Sequence, residues 1–156
     1  MTAVREIHGR HLEQDIAQGH LVSDALSLTL PITNPAIYAN ITVGAEGTPL
    51  ANQRLVTITL VNANGVAINY IQVFDVIVYT GAGGTALATT GGSAAMVSGG
   101  TGIVISQPAA KKHYVCQTAA TGICTLVWED TATETVALGV ILPNKIRVMT
   151  AAFANA

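Results

Sequence analysis

Four histidines are the residues of this chain best suited to metal binding or acid–base chemistry. His8, His11 and His20 lie near the N-terminus, and His113 stands alone in the second half of the chain. Zinc sites hold their ligands at fixed geometry, commonly with cysteines or with closely spaced histidine pairs. The spacing of the three N-terminal histidines fits no such pattern. We therefore interpret them as solvated or interface residues and predict no metal site.

The other candidates for chemistry also favour simpler interpretations. No serine near His113 stands in a G-x-S-x-G pattern, which exposes a nucleophilic hydroxyl at a strand-to-helix turn. The glycine pairs 83–84, 91–92 and 99–100 lead into no predicted helix and have no lysine partner, as a phosphate loop requires. We interpret them as turn residues, and we predict that the chain is not an enzyme and uses no cofactor.

An acidic stretch and a cysteine pair remain. Glu129, Asp130 and Glu134 lack the alternating oxygen donors and the central glycine of a calcium loop, so they read as a solvated turn. Cys116 and Cys124 flank a predicted hairpin and form either a cross-strand disulfide or two buried thiols. The N-terminus lacks the basic region and apolar core of a signal peptide, which favours the thiols.

Composition restricts the class of protein. Only 10% of the 156 residues are charged, 50% are hydrophobic and 4% are aromatic. The formal net charge is −2 and there is no basic stripe, so we expect no nucleic-acid partner. The longest apolar runs are interrupted well before the roughly 20 residues of a membrane span, so we expect no membrane partner. A surface with so few charges is better explained if other subunits cover much of it.

The elements divide the chain into two parts. From Arg54 onward, short apolar and polar alternations recur between turn residues, for example RLVTITLV and TVALGVIL. Six or seven such strands predict an all-β fold, an Ig-like or related antiparallel β-sandwich over residues 51–156. We place Trp128 in its core. Residues 1–50 contain interspersed prolines and little internal core, and they predict an extended N-terminal arm.

The order of the β motifs resembles a module of tailed-bacteriophage virion proteins. The relevant stretches are VTITLVNANGVA, VFDVIVYT, SGGTGIVIS and AATGICTLVWEDTATETVALGVILPNKIRV. Such modules serve as head decoration (cement) proteins or as parts of head fibres, and the resemblance covers roughly residues 50–156. Two features depart from it: Lys145 where glycine is expected after Asn144, and the cysteine pair.

The resemblance implies a structural protein on the outer capsid surface of the virion, assembled in the host cytoplasm. We expect it to bridge neighbouring major capsid proteins as a homotrimer, with the arm reaching across subunit boundaries at about 3.3 Å per residue. The apolar residues of the arm are the expected interface with the capsid protein or with other copies: Ile7, Leu12, Ile16, Leu21, Leu26, Leu28 and Leu30.

Two further structural roles stay open. A head or tail fibre module would bind a host surface or glycan, commonly through exposed aromatic side chains. A tail-tube or connector subunit would form rings or tubes, not trimers.

Overall fold

The computed structural model describes residues 35–96 and 100–155, and every regular element among them is a β-strand. No helix in these ranges is long and apolar enough to cross a membrane. The nine strands are β1 (Tyr38–Val43), β2 (Gln53–Val61), β3 (Val73–Thr80), β4 (Ser93–Met96), β5 (Ile103–Ala109), β6 (His113–Gln117), β7 (Ile123–Glu129), β8 (Val136–Ile141) and β9 (Arg147–Met149).

The strands form two antiparallel sheets that pack face to face. Sheet A has the order β1-β2-β7-β4, and sheet B has the order β5-β6-β3-β8-β9. Apolar side chains from the inner faces of both sheets form one continuous core. The predicted all-β sandwich is thereby confirmed, with nine strands in place of six or seven.

Alternation along each strand explains why the two sheets pack. In β2, Val56, Ile58 and Leu60 are fully buried while the intervening threonines lie on the outer face. In β7, Trp128 is 2% exposed and packs edge-on against Tyr114, which confirms its predicted place in the core. Side chains that alternate with period two can bury one face of a strand and leave the other to solvent.

The sandwich begins closer to the N-terminus than residue 51. Strand β1 lies inside the predicted arm and pairs with β2 along its whole length, from Tyr38 opposite Val61 to Val43 opposite Val56. The compact unit that contains the sandwich starts at residue 34. Pro35 and Pro49 flank β1 without interrupting it, because each lies outside the hydrogen-bonded ladder.

The predicted hairpin between residues 111–118 and 122–130 is wrong. Strand β6 pairs with β3 and β5 in sheet B, whereas β7 pairs with β2 and β4 in sheet A. The five residues between them, 118–122, carry the chain from one sheet to the other. Cys116 and Cys124 therefore lie in opposite sheets, and a cross-strand arrangement is ruled out.

The turn between β8 and β9 places a lysine in a left-handed backbone conformation. The backbone of Lys145 has φ of 67°, and its N–H donates to the carbonyl of Leu142 at 2.9 Å. A left-handed conformation is one that glycine adopts at no steric cost. Lys145 thus occupies a position whose backbone conformation favours glycine.

Candidate interaction surface

The strands run between two ends of the sandwich, and the connecting segments give these ends different characters. We call the first the neutral end; its segments are 35–37, 62–72, 100–102, 118–122 and 142–146. We call the second the charged end; its segments are 44–52, 81–92, 110–112, 130–135 and 150–155. Each set collects loops from separate parts of the chain, because the strands alternate in direction between the ends.

Charge separates the two ends. Lys145 is the single charged side chain in the described segments of the neutral end, and Arg147 is the one charged first residue of a strand that begins there. The segments of the charged end hold five: Glu46, Lys111, Lys112, Asp130 and Glu134. Most residues of the neutral end are Asn, Gln, Thr, Ala or Gly. Its turns are therefore polar enough to be solvated, but they carry little charge that would repel a partner. A surface of this kind can be buried against a partner at low desolvation cost.

Exposed apolar side chains follow the opposite distribution. Ten large hydrophobic residues of the described ranges are exposed, and seven of them lie at the neutral end or on the first residue of a strand that begins there. Apolar side chains that are exposed together at one end of a domain can mark an interaction site. The seven are Ile37, Tyr38, Val66, Ile71, Val73, Ile103 and Ile146.

Local structure positions this apolar rim. Val73 and Ile103 both lie opposite Gln117, on the outer face of sheet B. Ile37 is held by its N–H, which donates to the carbonyl of Val61 at 2.9 Å. Ile146 closes the turn between β8 and β9, where its carbonyl accepts from the Leu142 N–H at 2.9 Å. These side chains are thus presented by a fixed backbone.

Several candidates from the sequence lie outside the residues that the structure describes. The predicted interface residues of the arm lie outside the described residues: Ile7, Leu12, Ile16, Leu21, Leu26, Leu28 and Leu30. The same is true of His8, His11 and His20. Within the described ranges there is no group of three or more His, Cys, Asp or Glu side chains that could hold a metal ion.

His113 is bound to a carboxylate on the outer face of sheet B. Its Nε2 lies 2.7 Å from Oδ1 of Asp75, and both side chains are partly exposed. By strand register, the neighbours of the pair across the sheet are Ile77 and Val115. The pair can orient an imidazole, but these neighbours offer no hydroxyl or thiol for it to activate.

The acidic residues of the charged end brace loops. Oδ1 of Asp130 accepts the Ala132 N–H at 2.9 Å. Next to this segment, Glu129 at the end of β7 accepts from the side chain of Gln53 at the start of β2 at 2.8 Å. Glu134 accepts the N–H groups of Thr89 and Thr90 at 2.9 and 2.7 Å and the Thr90 hydroxyl at 2.7 Å. Glu134 was predicted to lie in a solvated turn, and its hydrogen bonds also hold the segment of Thr89 and Thr90 in place.

Glu134 makes stability depend on pH. The N–H groups of Thr89 and Thr90 lower the pKa of its carboxyl from 4.5 to about 2. A depressed pKa means that the contribution is present above pH 4.5 and is lost as the pH falls through 2. We expect Glu134→Gln to cost about 0.5–1 kcal/mol at pH 7, because the group is solvated, and to cost much less near pH 2. Urea unfolding of Glu134→Gln and of the control Glu129→Gln at both pH values tests this; a cost that is equal at both pH values would contradict it.

The two cysteines are free thiols, and both are fully buried in the core. They approach each other from opposite sheets. Hydrogen bonding between the two side chains, followed by burial, raises the pKa of the Cys116 thiol. A protonated thiol without solvent access is a poor nucleophile and a poor metal ligand. The pair therefore serves core packing.

The neutral end is the feature that sequence reasoning missed. Its residues come from five separate segments, and the distribution of charge between the ends is visible only once the strand directions are known. Comparison of the chain with family models, with curated proteins and with solved structures finds no match.

Proposed function

We propose that the protein is a non-catalytic structural component of a tailed-bacteriophage virion, which decorates the outer capsid surface and stabilises it by bridging neighbouring major capsid proteins. In this proposal it acts as a homotrimer and is assembled in the host cytoplasm. The order of the β motifs resembles that of phage head proteins, and this resemblance suggests that the protein belongs to a phage virion. The polarised sandwich supports a role in assembly.

The observation that carries the proposal is the asymmetry between the ends. Seven of the ten exposed apolar residues lie at the end of the sandwich where residues 35–37 enter it. The N-terminal 34 residues therefore connect to the same end that presents the apolar rim. A docking surface and the segment predicted to reach across subunit boundaries belong, in this proposal, to one side of the domain.

Such a protein would act by mass action. A ligand that binds only the mature capsid lattice stabilises that lattice by an amount that grows with its free concentration relative to Kd. Ordering an extended segment costs conformational entropy, which apolar contacts of the leucine and isoleucine side chains offset. The charged end, on the opposite side, would keep the decorated particle in solution.

Removal of residues 1–30 tests the role of the arm. We expect the shortened protein to stay folded, because the first strand begins at Tyr38. We also expect its capsid binding to weaken at least a hundredfold in co-sedimentation with expanded shells, because the predicted apolar contacts of the arm are lost. Full-length protein with Leu26, Leu28 and Leu30 all changed to serine should behave in the same way. The matched control changes Ser27 and Thr29 to alanine and should bind normally.

The same experiment separates the competing roles. A shortened protein that still saturates the shells would contradict the proposed function of the arm. Binding of the full chain to host cells or glycans, without binding to capsids, would favour a fibre module. Among the described aromatic residues only Tyr38 is exposed, which offers a sugar little stacking surface.

A further inference from the structure

The four sheet edges of the sandwich differ in how they are protected against pairing with another chain. Natural edge strands are commonly short or carry charges, prolines or bulges. Strand β5 contains Pro108 and two register shifts, β4 has four residues, and β9 has three and begins with Arg147. Strand β1 has six residues in continuous register with β2, and it contains neither a charge nor a proline. It is the one unprotected edge in the described ranges.

The direction of the β1 backbone groups follows from two hydrogen bonds. The Gly44 N–H, just after β1, donates to the Leu55 carbonyl of β2 at 2.7 Å. The Leu60 N–H of β2 points to the opposite side of that strand and donates to the Gly122 carbonyl at 2.9 Å. Successive residues of a strand direct their N–H and C=O groups to opposite sides. The even-numbered residues of β1 therefore bond to β2, and Ala39, Ile41 and Val43 direct theirs to the free edge.

A groove accompanies this free edge. It has a volume of about 300 Å³ and lies between β1 and the segment that follows β9. A strand added to β1 would direct alternate side chains to the same face as Ile41 and Val43, and thus into the groove. Its lining is mostly apolar or small: Ile41, Val43, Arg54, Thr150, Ala151, Ala152 and Phe153.

We propose that β1 pairs antiparallel with β1 of a second copy of this chain, about a two-fold axis at Ile41. In this register Ile41 lies opposite the partner's Ile41, and Ala39 lies opposite the partner's Val43. All three opposed pairs use the backbone groups that face the free edge, so six hydrogen bonds form.

Self-complementarity is the reason for choosing a second copy over a foreign strand. The register keeps groove-facing residues opposite groove-facing residues, so each copy places its Ile41 in the groove of the other. The outer-face residues Asn40 and Thr42 also meet each other across the axis. No like charges oppose one another, because β1 has none. One surface patch thus supplies both halves of the contact, as a two-fold interface requires.

This contact goes beyond the proposed function, since it joins copies without a capsid. Copies that are otherwise monomeric would form dimers, and trimers held by another surface would be linked to further trimers through their β1 edges. A single strand pair lies at the small end of protein interfaces, so association is best measured at concentrations up to about 1 mM.

Crosslinking tests the register in the full-length protein. Opposed residues of a hydrogen-bonded antiparallel pair have Cα atoms about 5.5 Å apart, within the range of a disulfide. Ile41→Cys should therefore give a covalent dimer with oxidised glutathione. Two thiols form one S–S bond, and their two electrons and two protons reduce one glutathione disulfide to two glutathione molecules. The control Thr57→Cys, one strand inward, should give less than a tenth as much dimer. Equal yields for the two variants would overturn the proposal.

Sedimentation equilibrium supplies a test that does not depend on a new cysteine. Val43→Pro removes an N–H that faces the free edge and leaves the ladder with β2 intact. It should lower the association constant at least tenfold relative to Val43→Ala, which keeps the N–H and loses the same apolar contacts. Equal association constants, or a wild-type chain whose oligomeric state does not change with concentration up to about 1 mM, would overturn the two-fold contact.

Discussion

Replacement of Trp128 by alanine should lower the free energy of unfolding by about 3–5 kcal/mol, the range for removing a large aromatic side chain from a core. The indole is 2% exposed, and its ring centroid lies 6.4 Å from that of Tyr114 at an interplanar angle of 89°. The Tyr114 hydroxyl in turn donates to the carbonyl of Gly92. Loss of the indole therefore leaves a cavity next to Tyr114 and to Gly92, whose carbonyl accepts from the Tyr114 hydroxyl.

Gly92 shows how closely the ring is surrounded. A Cβ atom at this position would lie 2.1 Å from Cζ2 of Trp128, which is far inside van der Waals contact. The surrounding structure cannot collapse easily into the space that Trp128 leaves, because the sheets on both sides are held by their ladders. The expected cost for Trp128→Ala is thus a large part of the 5–15 kcal/mol that is usual for a whole domain.

Urea unfolding followed by circular dichroism measures this cost, since the variant has lost its one tryptophan. Trp128→Phe is the matched variant, because it keeps an aromatic ring in the core and should lose less than half as much stability. A Trp128→Ala protein within 1 kcal/mol of wild type would show that the core repacks, contrary to the prediction.

Asn155→Ala should cost about 3 kcal/mol, although the residue lies next to the end of the chain. Its side-chain NH₂ donates to the carbonyls of Asn52 at 2.7 Å and of Asp130 at 2.6 Å, and its Oδ1 accepts from Nε of Arg54 at 2.8 Å. Asn155 itself is 5% exposed. Alanine leaves the Asp130 carbonyl and the Arg54 Nε–H without this partner, whereas the Asn52 carbonyl still accepts the Asp130 N–H at 3.1 Å. Each buried polar group left unsatisfied costs about 1–3 kcal/mol.

Thermal and urea unfolding of Asn155→Ala should be compared with Asn64→Ala. Asn64 is exposed in the turn after β2, so its replacement should change stability by less than about 0.5 kcal/mol. Equal stability of the two variants would mean that water replaces the contacts of Asn155 without loss.

The sequence predicted the strands well where one face of a strand is buried. Val56, Ile58 and Leu60 alternate with residues of the outer face, and a period of two is a local signal that needs no knowledge of the partner strand. The strand β1 was missed because prolines lie on both sides of it. A proline excludes only its own position from the ladder, so the six residues between Pro35 and Pro49 that form β1 can still pair.

The hairpin error has a different physical cause. A five-residue connection can join two neighbouring strands of one sheet or carry the chain across to the other sheet. The alternation in residues 113–117 and 123–129 is the same in both cases. What decides is the pairing of β7 with β2, which lies more than sixty residues earlier in the chain. The neutral end could not be predicted from the sequence for the same reason. Its segments come together only through pairing between strands that are distant in the chain.

The C-terminal contacts of Asn155 have a consequence for protein engineering. This residue is fixed at the charged end, while Pro35 enters the sandwich at the neutral end, roughly 20 Å away along strands of six residues at 3.3 Å each. A peptide that continues the chain beyond Asn155 would therefore emerge from the side opposite the proposed docking surface. If the neutral end faces a shell, such a fusion would point into the surrounding solution. Each bound copy would then display one fused peptide without obstructing the binding of the protein to the shell.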